Sequence, residues 1–222
     1  MIPVKEAAVP SSFELKVRRP GRDAIAELVG RSRSRARRGP KRKRAFASED
    51  RIPAAAFPDF WREALPDLRD KYGDLCAYLA LYIHHATGNA TVDHFVPKAR
   101  DWRLVYEWSN YRLCSLQING YKQDREISLD PFSIESGLFA LELTDFQVIP
   151  GPAARGATVA IVTNTIVDLG LNQRDCRKAR EAYVEDYRLG PPDGIALARL
   201  ERHAPFVARE LRRQALLVRG DT

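Results

Sequence analysis

Residues 91–124, TVDHFVPKARDWRLVYEWSNYRLCSLQINGYKQD, set an adjacent acid and imidazole, Asp93 and His94, ahead of Asn110, Asn119 and Lys122. Residues 90–97 (ATVDHFVP) are β-branched and aromatic and stop at a proline, which predicts one strand. Ser115 to Arg125 predicts a short helix, although Asn119 and Gly120 inside it are poor helix formers. On that helix Ser115, Asn119 and Lys122 share a face at i, i+4 and i+7. Lys122 can then reach a phosphate flanking whatever Asn119 holds. Neighbouring side chains of a regular strand point to opposite faces. Asp93 and His94 therefore serve one site only if the strand is irregular, expected at residues 93–95, or if the site lies across its end.

The order Asp-His, Asn, Asn resembles the HNH motif of the ββα-metal, or His-Me finger, superfamily, in which a strand, an Ω-like loop, a second strand and a helix clasp one divalent cation. The resemblance spans residues 91–124. It implies a metal-dependent endonuclease that hydrolyses phosphodiester bonds, in DNA by analogy, leaving a 5′ phosphate and a 3′ hydroxyl. By resemblance His94 is the general base, since an imidazole titrating near ~6.5 takes a proton at neutral pH. Asn110 orients that imidazole through its amide carbonyl. Asp93 and Asn119 present hard oxygens to Mg²⁺ or Mn²⁺. Such a set supplies what the reaction needs, a deprotonated water and compensation for charge gathering at phosphorus. Arg112 and Tyr121 are further candidates for contact with the nucleic-acid backbone.

Many HNH proteins brace this finger with two CxxC pairs around a structural zinc. Here only Cys76 and Cys114 stand in comparable regions and no CxxC occurs, so zinc is not expected. Aromatic packing by Tyr78, Trp102, Tyr106, Trp108 and Tyr111 is expected to carry the load instead. More loosely, the order CAYLALYI, TVDHFVPK, YEWSNYRL, LDPF and DLGLNQRDCRKAR resembles bacterial HNH proteins associated with anti-phage defence, including accessory nucleases of retron and Septu-type systems. That likeness implies an ATPase or another partner chain in control of cutting.

The 222 residues, 45% apolar and 29% charged, suit one packed domain with an arm. The longest nearly unbroken apolar stretch, Leu75 to Ile83, has nine residues, whereas a membrane-spanning helix needs ~20. MIPVKEAAVP lacks the basic start and apolar run of a secretory signal, so a cytoplasmic location is expected. Three cysteines are too few for a disulfide framework. The net charge of +7 is uneven: residues 18–44 hold twelve Lys or Arg against two acids, leaving 24 bases and 27 acids elsewhere. Residues 1–50 are therefore expected to be a basic, partly disordered N-terminal arm. Within it Arg35, Arg37, Arg38, Lys41, Arg42, Lys43 and Arg44 are candidates for binding nucleic acid. An alternative function is a non-catalytic nucleic-acid-binding module that uses this arm and an HNH-like scaffold. A third is an interaction protein for which the arm is only a tether.

Helical patterns are expected at PDFWREALPDL and from Asp74 to Ala86, where Leu75, Tyr78, Leu79, Tyr82 and Ile83 recur at three and four residue spacing, with Asp74 as N-cap. His84 and His85 would close that helix, and Asp130 reads as a turn or cap residue. GLFALEL and FQVIP predict a hairpin joined at Thr144 and Asp145, with ATVAIVT a third extended piece. Asn172 is expected to cap a helix through Arg188, striped by Cys176, Ala179, Tyr183 and Tyr187. Two more helices fit Ile195–His203 and Pro205–Val218, the latter with Val207, Leu211 and Ala215 inward. His203 is expected at the surface. The expected fold is α+β, mainly α-helical, with a central ββα-metal finger and a small β-hairpin. Residues 51–222 would form a single HNH nuclease domain, with its finger core at 88–126 and a C-terminal helical part at 164–219.

Overall fold

The computed structural model describes residues 1–34 and 45–221. An irregular strap enters a π-helical turn, Glu14–Arg18, and then α1 (Arg19–Leu28). Short turns lead to α2 (Leu65–Lys71), β1 (Ala90–His94), β2 (Tyr111–Ser115) and α3 (Leu116–Lys122). A second ribbon, β3 (Phe139–Leu141) and β4 (Val148–Pro150), precedes α4 (Ala157–Asp168), α5 (Arg174–Leu189), α6 (Leu197–His203) and α7 (Pro205–Arg213). The architecture is α+β and mainly helical, with two separate two-stranded antiparallel sheets.

The segment that carries the site folds much as its sequence suggests. β1 pairs with β2 in a register running from Ala90 opposite Ser115 to His94 opposite Tyr111. The Ser115 hydroxyl then accepts from the Ile118 N–H at the start of α3, satisfying one of the helix's orphan donors. The helix ends at Lys122, where Gln123 takes a left-handed φ of 48°. The 139–150 hairpin and the helices near 174–189, 197–203 and 205–213 also form.

Five expectations fail. Residues 74–86 are not a helix: Leu75 bridges Tyr82, the Cys76 N–H donates to the Leu81 carbonyl at 2.9 Å, and Ala77 N–H donates to Leu113 of β2 at 2.8 Å. Cys76 through Leu81 are all buried, whereas a helix on a core hides only one face. Asp74, with φ 59°, caps nothing and pairs instead with His85 at 3.1 Å. ATVAIVT is helical, opening α4, because tertiary packing of Val162, Thr165 and Ile166 outweighs the modest helix cost of β-branched residues. Asn172 does not cap α5. Its side chain clamps β4, accepting from Val148 N–H at 2.7 Å and donating to Val148 O at 2.8 Å. α7 stops at Arg213, so Ala215 is exposed rather than inward.

The fifth failure concerns the arm. Phe13, Val17, Ile25 and Leu28 are buried in the same core as the β1–β2 ribbon. Phe13 meets the rings of Trp108 and Tyr111 edge-on at 5.6 and 5.8 Å. Burying an aromatic ring of this size offsets the entropy of ordering the segment. At least residues 1–29 therefore belong to the folded body. Asp23 and Glu27 on α1 face Arg33 at 3.5 and 3.3 Å, so part of the basic charge is neutralised internally. Arg35, Arg37, Arg38, Lys41, Arg42, Lys43 and Arg44 lie outside the described residues. The expected aromatic load is carried by Tyr78, Tyr106, Trp108 and Tyr111, all buried, with Trp102 packed at the margin. No helix among the described residues is long and apolar enough to cross a membrane.

Candidate functional site

β1 ends at His94, and a bend at Phe95–Val96 turns the chain into the loop before β2. The site lies across this strand end, so adjacent side chains reach one cleft despite the alternation of a strand. That cleft, about 240 Å³, is lined by Asp93, His94, Lys98, Asn119, Asp124 and Trp61, among others. The structure thus brings together three of the four motif residues.

His94 is 7% exposed and its Nε2 lies 2.9 Å from the Val105 carbonyl oxygen. A carbonyl can only accept, so Nε2 carries the proton and Nδ1 is left as the lone-pair nitrogen. Nδ1 has no protein partner among the described residues and is not one of their sealed, unpaired polar atoms. Trp61 and Tyr111 pack edge-on against the ring at 5.0 and 5.2 Å. Burial, with lesser repulsion from Lys98 and Lys122, pulls the imidazole from its ordinary 6.5 to about 3. The ring is neutral across the neutral pH range, and the expected titration near 6.5 is not met in the free protein.

Asn110 does not touch His94. Its Oδ1 accepts from the Val96 N–H at 2.8 Å, while Nδ2 donates to Val96 O at 3.0 Å and Leu104 O at 3.2 Å. It staples the two ends of the loop from 95 to 105, whose Val105 carbonyl holds the imidazole. The orienting role expected of its amide carbonyl belongs to a backbone carbonyl, one step removed. No sequence pattern announces a backbone oxygen.

Asp93 is 2% exposed and both of its oxygens are engaged. Lys122 Nζ donates to Oδ1 at 3.0 Å and Tyr78 Oη donates to Oδ2 at 2.5 Å. Lys122 is wholly buried and also donates to the His94 carbonyl at 2.7 Å. It is an internal counter-ion for Asp93, not a surface contact for a flanking phosphate. Arg112 corrects in the same way: 2% exposed, it forms a bidentate pair with Asp130 at 2.8 and 2.5 Å and donates to the Ser109 and Tyr111 carbonyls. A guanidinium so committed cannot bind a backbone phosphate, and Asp130 is an ion-pair partner as well as a turn residue. Tyr121 packs its ring over Gly170, away from the cleft. His203 is half-buried, its ring stacked 4.4 Å from that of Tyr82.

Asn119 donates from Nδ2 to Thr91 Oγ1 at 3.1 Å, which leaves its amide oxygen as the end available to the cleft. Each Asp93 oxygen keeps a second lone pair, since an ionised carboxylate offers about four acceptor positions. Hard oxygens from Asp93 and Asn119, with Asp124 at the rim, fit a Mg²⁺-like ion that keeps several waters. Lys122 has already neutralised Asp93, so such an ion meets less negative charge than the sequence suggests. Among the described residues no three His, Cys, Asp or Glu side chains form a metal-holding group.

Sequence reasoning missed Tyr78, Trp61, Lys98 and Asp124 as site residues. Lys98 Nζ sits 4.2 Å from the centre of the Trp61 ring, a cation held over an aromatic face, and burial lowers its pKa. Its position four residues after His94 was the available signal; Trp61 offered none. In comparisons with known proteins, the chain matches no protein-family model and no curated protein.

Proposed function

We propose that the chain is a metal-dependent HNH-type endonuclease that hydrolyses phosphodiester bonds in nucleic acid, DNA by the family resemblance. The observation that supports this most is the convergence of Asp93, His94 and Asn119 on one polar cleft, with the His94 proton committed inward to Val105. His94 Nδ1 would accept a proton from the attacking water. The resulting imidazolium, costly in a buried site, would be offset by the anionic phosphate that shares the cleft. Lys98, at the cleft wall, would neutralise a non-bridging phosphate oxygen. Asp93 and Asn119 would hold Mg²⁺ or Mn²⁺, which when bound polarises the phosphoryl group and compensates charge on the leaving oxygen. Lys122 and Tyr78 would keep the Asp93 carboxylate in place.

The test is plasmid nicking by purified protein with Mg²⁺ or Mn²⁺ and with EDTA, alongside a folded His94→Ala variant. Metal-dependent cutting lost in the variant supports the proposal; undiminished cutting by the variant removes the base. The engagement of both Asp93 oxygens by Lys122 and Tyr78 favours a second reading, a binding module in which the ribbon and helix are scaffold alone. That module would bind DNA with strong salt dependence and show no turnover in either metal. By the wider resemblance, the proposal extends to anti-phage defence with an ATPase or other partner chain governing cutting, checked by co-purification from cells.

A further inference from the structure

A second groove, sharing no lining residue with the Asp93–His94 cleft, opens where residues 81–84 meet α5 and α6. Backbone bonds fix its walls: the Tyr82 N–H donates to the His203 carbonyl at 2.8 Å, and the Ile195 N–H to the Asp186 carbonyl at 2.9 Å. Ala179 and Ala182 on α5 carry too little side chain to fill the space between, and Leu81 and Ile195 give it apolar surface. The groove holds about 340 Å³, at the small end of the ~300–1,000 Å³ of ligand pockets. Planar rings supply much of its wall. Those of Tyr82 and His203 stack at 4.4 Å with 15° between their planes, His84 meets Tyr82 edge-on at 5.1 Å, and Tyr183 stands half-buried on α5. One exposed cation, Arg199 on α6, and one exposed acid, Asp186 on α5, join them. The side chains of Tyr82, Tyr183, Asp186, Arg199 and His203 have no hydrogen-bond or ion-pair partner among the described residues. Asp93, Lys122 and Arg112 spend theirs inside the fold, whereas these polar groups all remain available to a ligand.

A small inorganic anion would leave the rings unused, and an apolar ligand would strip water from Arg199 and Asp186 without replacing it. A ligand that satisfies all three has a flat face, an edge of N–H donors and an anionic end. We infer that the groove binds a purine nucleoside monophosphate, guanine before adenine. The base lies against the Tyr82 and Tyr183 rings, since every nucleobase has a flat face that stacks on aromatic side chains. The phosphate meets Arg199, whose guanidinium fork matches two phosphate oxygens. An ionised carboxylate only accepts, so Asp186 favours a base whose edge donates. Guanine offers N1–H and N2–H side by side, whereas adenine offers one amine beside an acceptor nitrogen. The inference stands apart from the nuclease reading, because it uses no cleft residue and no divalent cation.

The experiment titrates GMP, AMP and ribose 5-phosphate into the purified full chain in EDTA by isothermal titration calorimetry, with circular dichroism to check that each variant folds. GMP is expected to bind saturably at one site, and ribose 5-phosphate, which lacks a base, about tenfold more weakly or worse. Arg199→Ala and Asp186→Ala, both at exposed helix positions, should each weaken GMP binding by about tenfold, while Lys98→Ala in the cleft leaves it unchanged. The inference is overturned if GMP shows no saturable binding at millimolar concentration, or if ribose 5-phosphate or AMP binds as tightly as GMP. It is overturned equally if GMP affinity survives Arg199→Ala and falls in Lys98→Ala, which would seat the nucleotide in the cleft. None of these outcomes depends on whether the chain cuts nucleic acid.

Discussion

The Lys122 ammonium and the Asp93 carboxylate meet at 3.0 Å with both side chains sealed from solvent. A buried pair costs desolvation on both partners, and removing one strands the other. Lys122→Met is expected to destabilise the fold by about 3–5 kcal/mol, because Asp93 is left charged and buried. Adding Asp93→Asn should recover part of that loss, a coupling measurable by a double-mutant cycle in urea. A surface lysine that only touched phosphate would cost under about 0.5 kcal/mol and change the salt dependence of binding instead.

Asn110→Ala should cost about 3 kcal/mol, since it strands the Val96 N–H and two loop carbonyls. If cutting is observed, the same variant should lower kcat more than KM, because Val105 no longer fixes the His94 tautomer. An Asn110 variant with wild-type stability would contradict the stapling role.

Phe13→Ala should destabilise by about 3–5 kcal/mol, the usual cost of emptying a buried aromatic site. A residue in a solvated arm would show almost no change. Thermal unfolding distinguishes the two outcomes.

Glu142 accepts from the backbone N–H groups of Thr144 and Asp145 at 2.9 and 3.0 Å, closing the turn between β3 and β4. The Thr144 N–H, foremost among these bonds, holds its carboxyl down to about 2. A depressed folded-state value contributes stability above the unfolded carboxylate's ~4.3, lost as pH falls through about 2. Glu142→Gln should therefore lower the melting temperature at pH 7, with the difference from wild type shrinking as pH falls below about 4 and vanishing only below about 2.

Much of the ribbon and its helix could be read from residue type. Ser115 announced the start of α3, and the β-branched run at 90–94 announced β1. Asp93, His94 and Asn119 were legible as a group only through the resemblance of their order to the HNH motif. The 75–82 loop was not, since an apolar run buried on all sides carries no period to separate helix from extended chain. Ala80, at φ 51°, supplies a turn that no alanine advertises. Lys122 and Arg112 misled for a common reason: charge in a sequence suggests solvent, and both bury themselves against acids only after folding, 29 and 18 positions away. Val105 acts through its main chain, which every residue shares.

Trp108 donates its indole N–H to the carbonyl of Ala7, 101 positions earlier, and Ala7 in turn donates to Tyr72, 65 positions later. On a ribosome adding ~5–20 residues per second, Ala7 emerges roughly 5 to 20 seconds before the indole that will receive it. Through that interval Phe13 lacks the Trp108 and Tyr111 rings it lies against, and the newborn chain offers greasy surface to chaperones and proteases alike. The segment from Ala7 to Val17 thus settles only after residues made about a hundred positions later, and a chaperone holding Trp108 or Tyr111 competes directly with it.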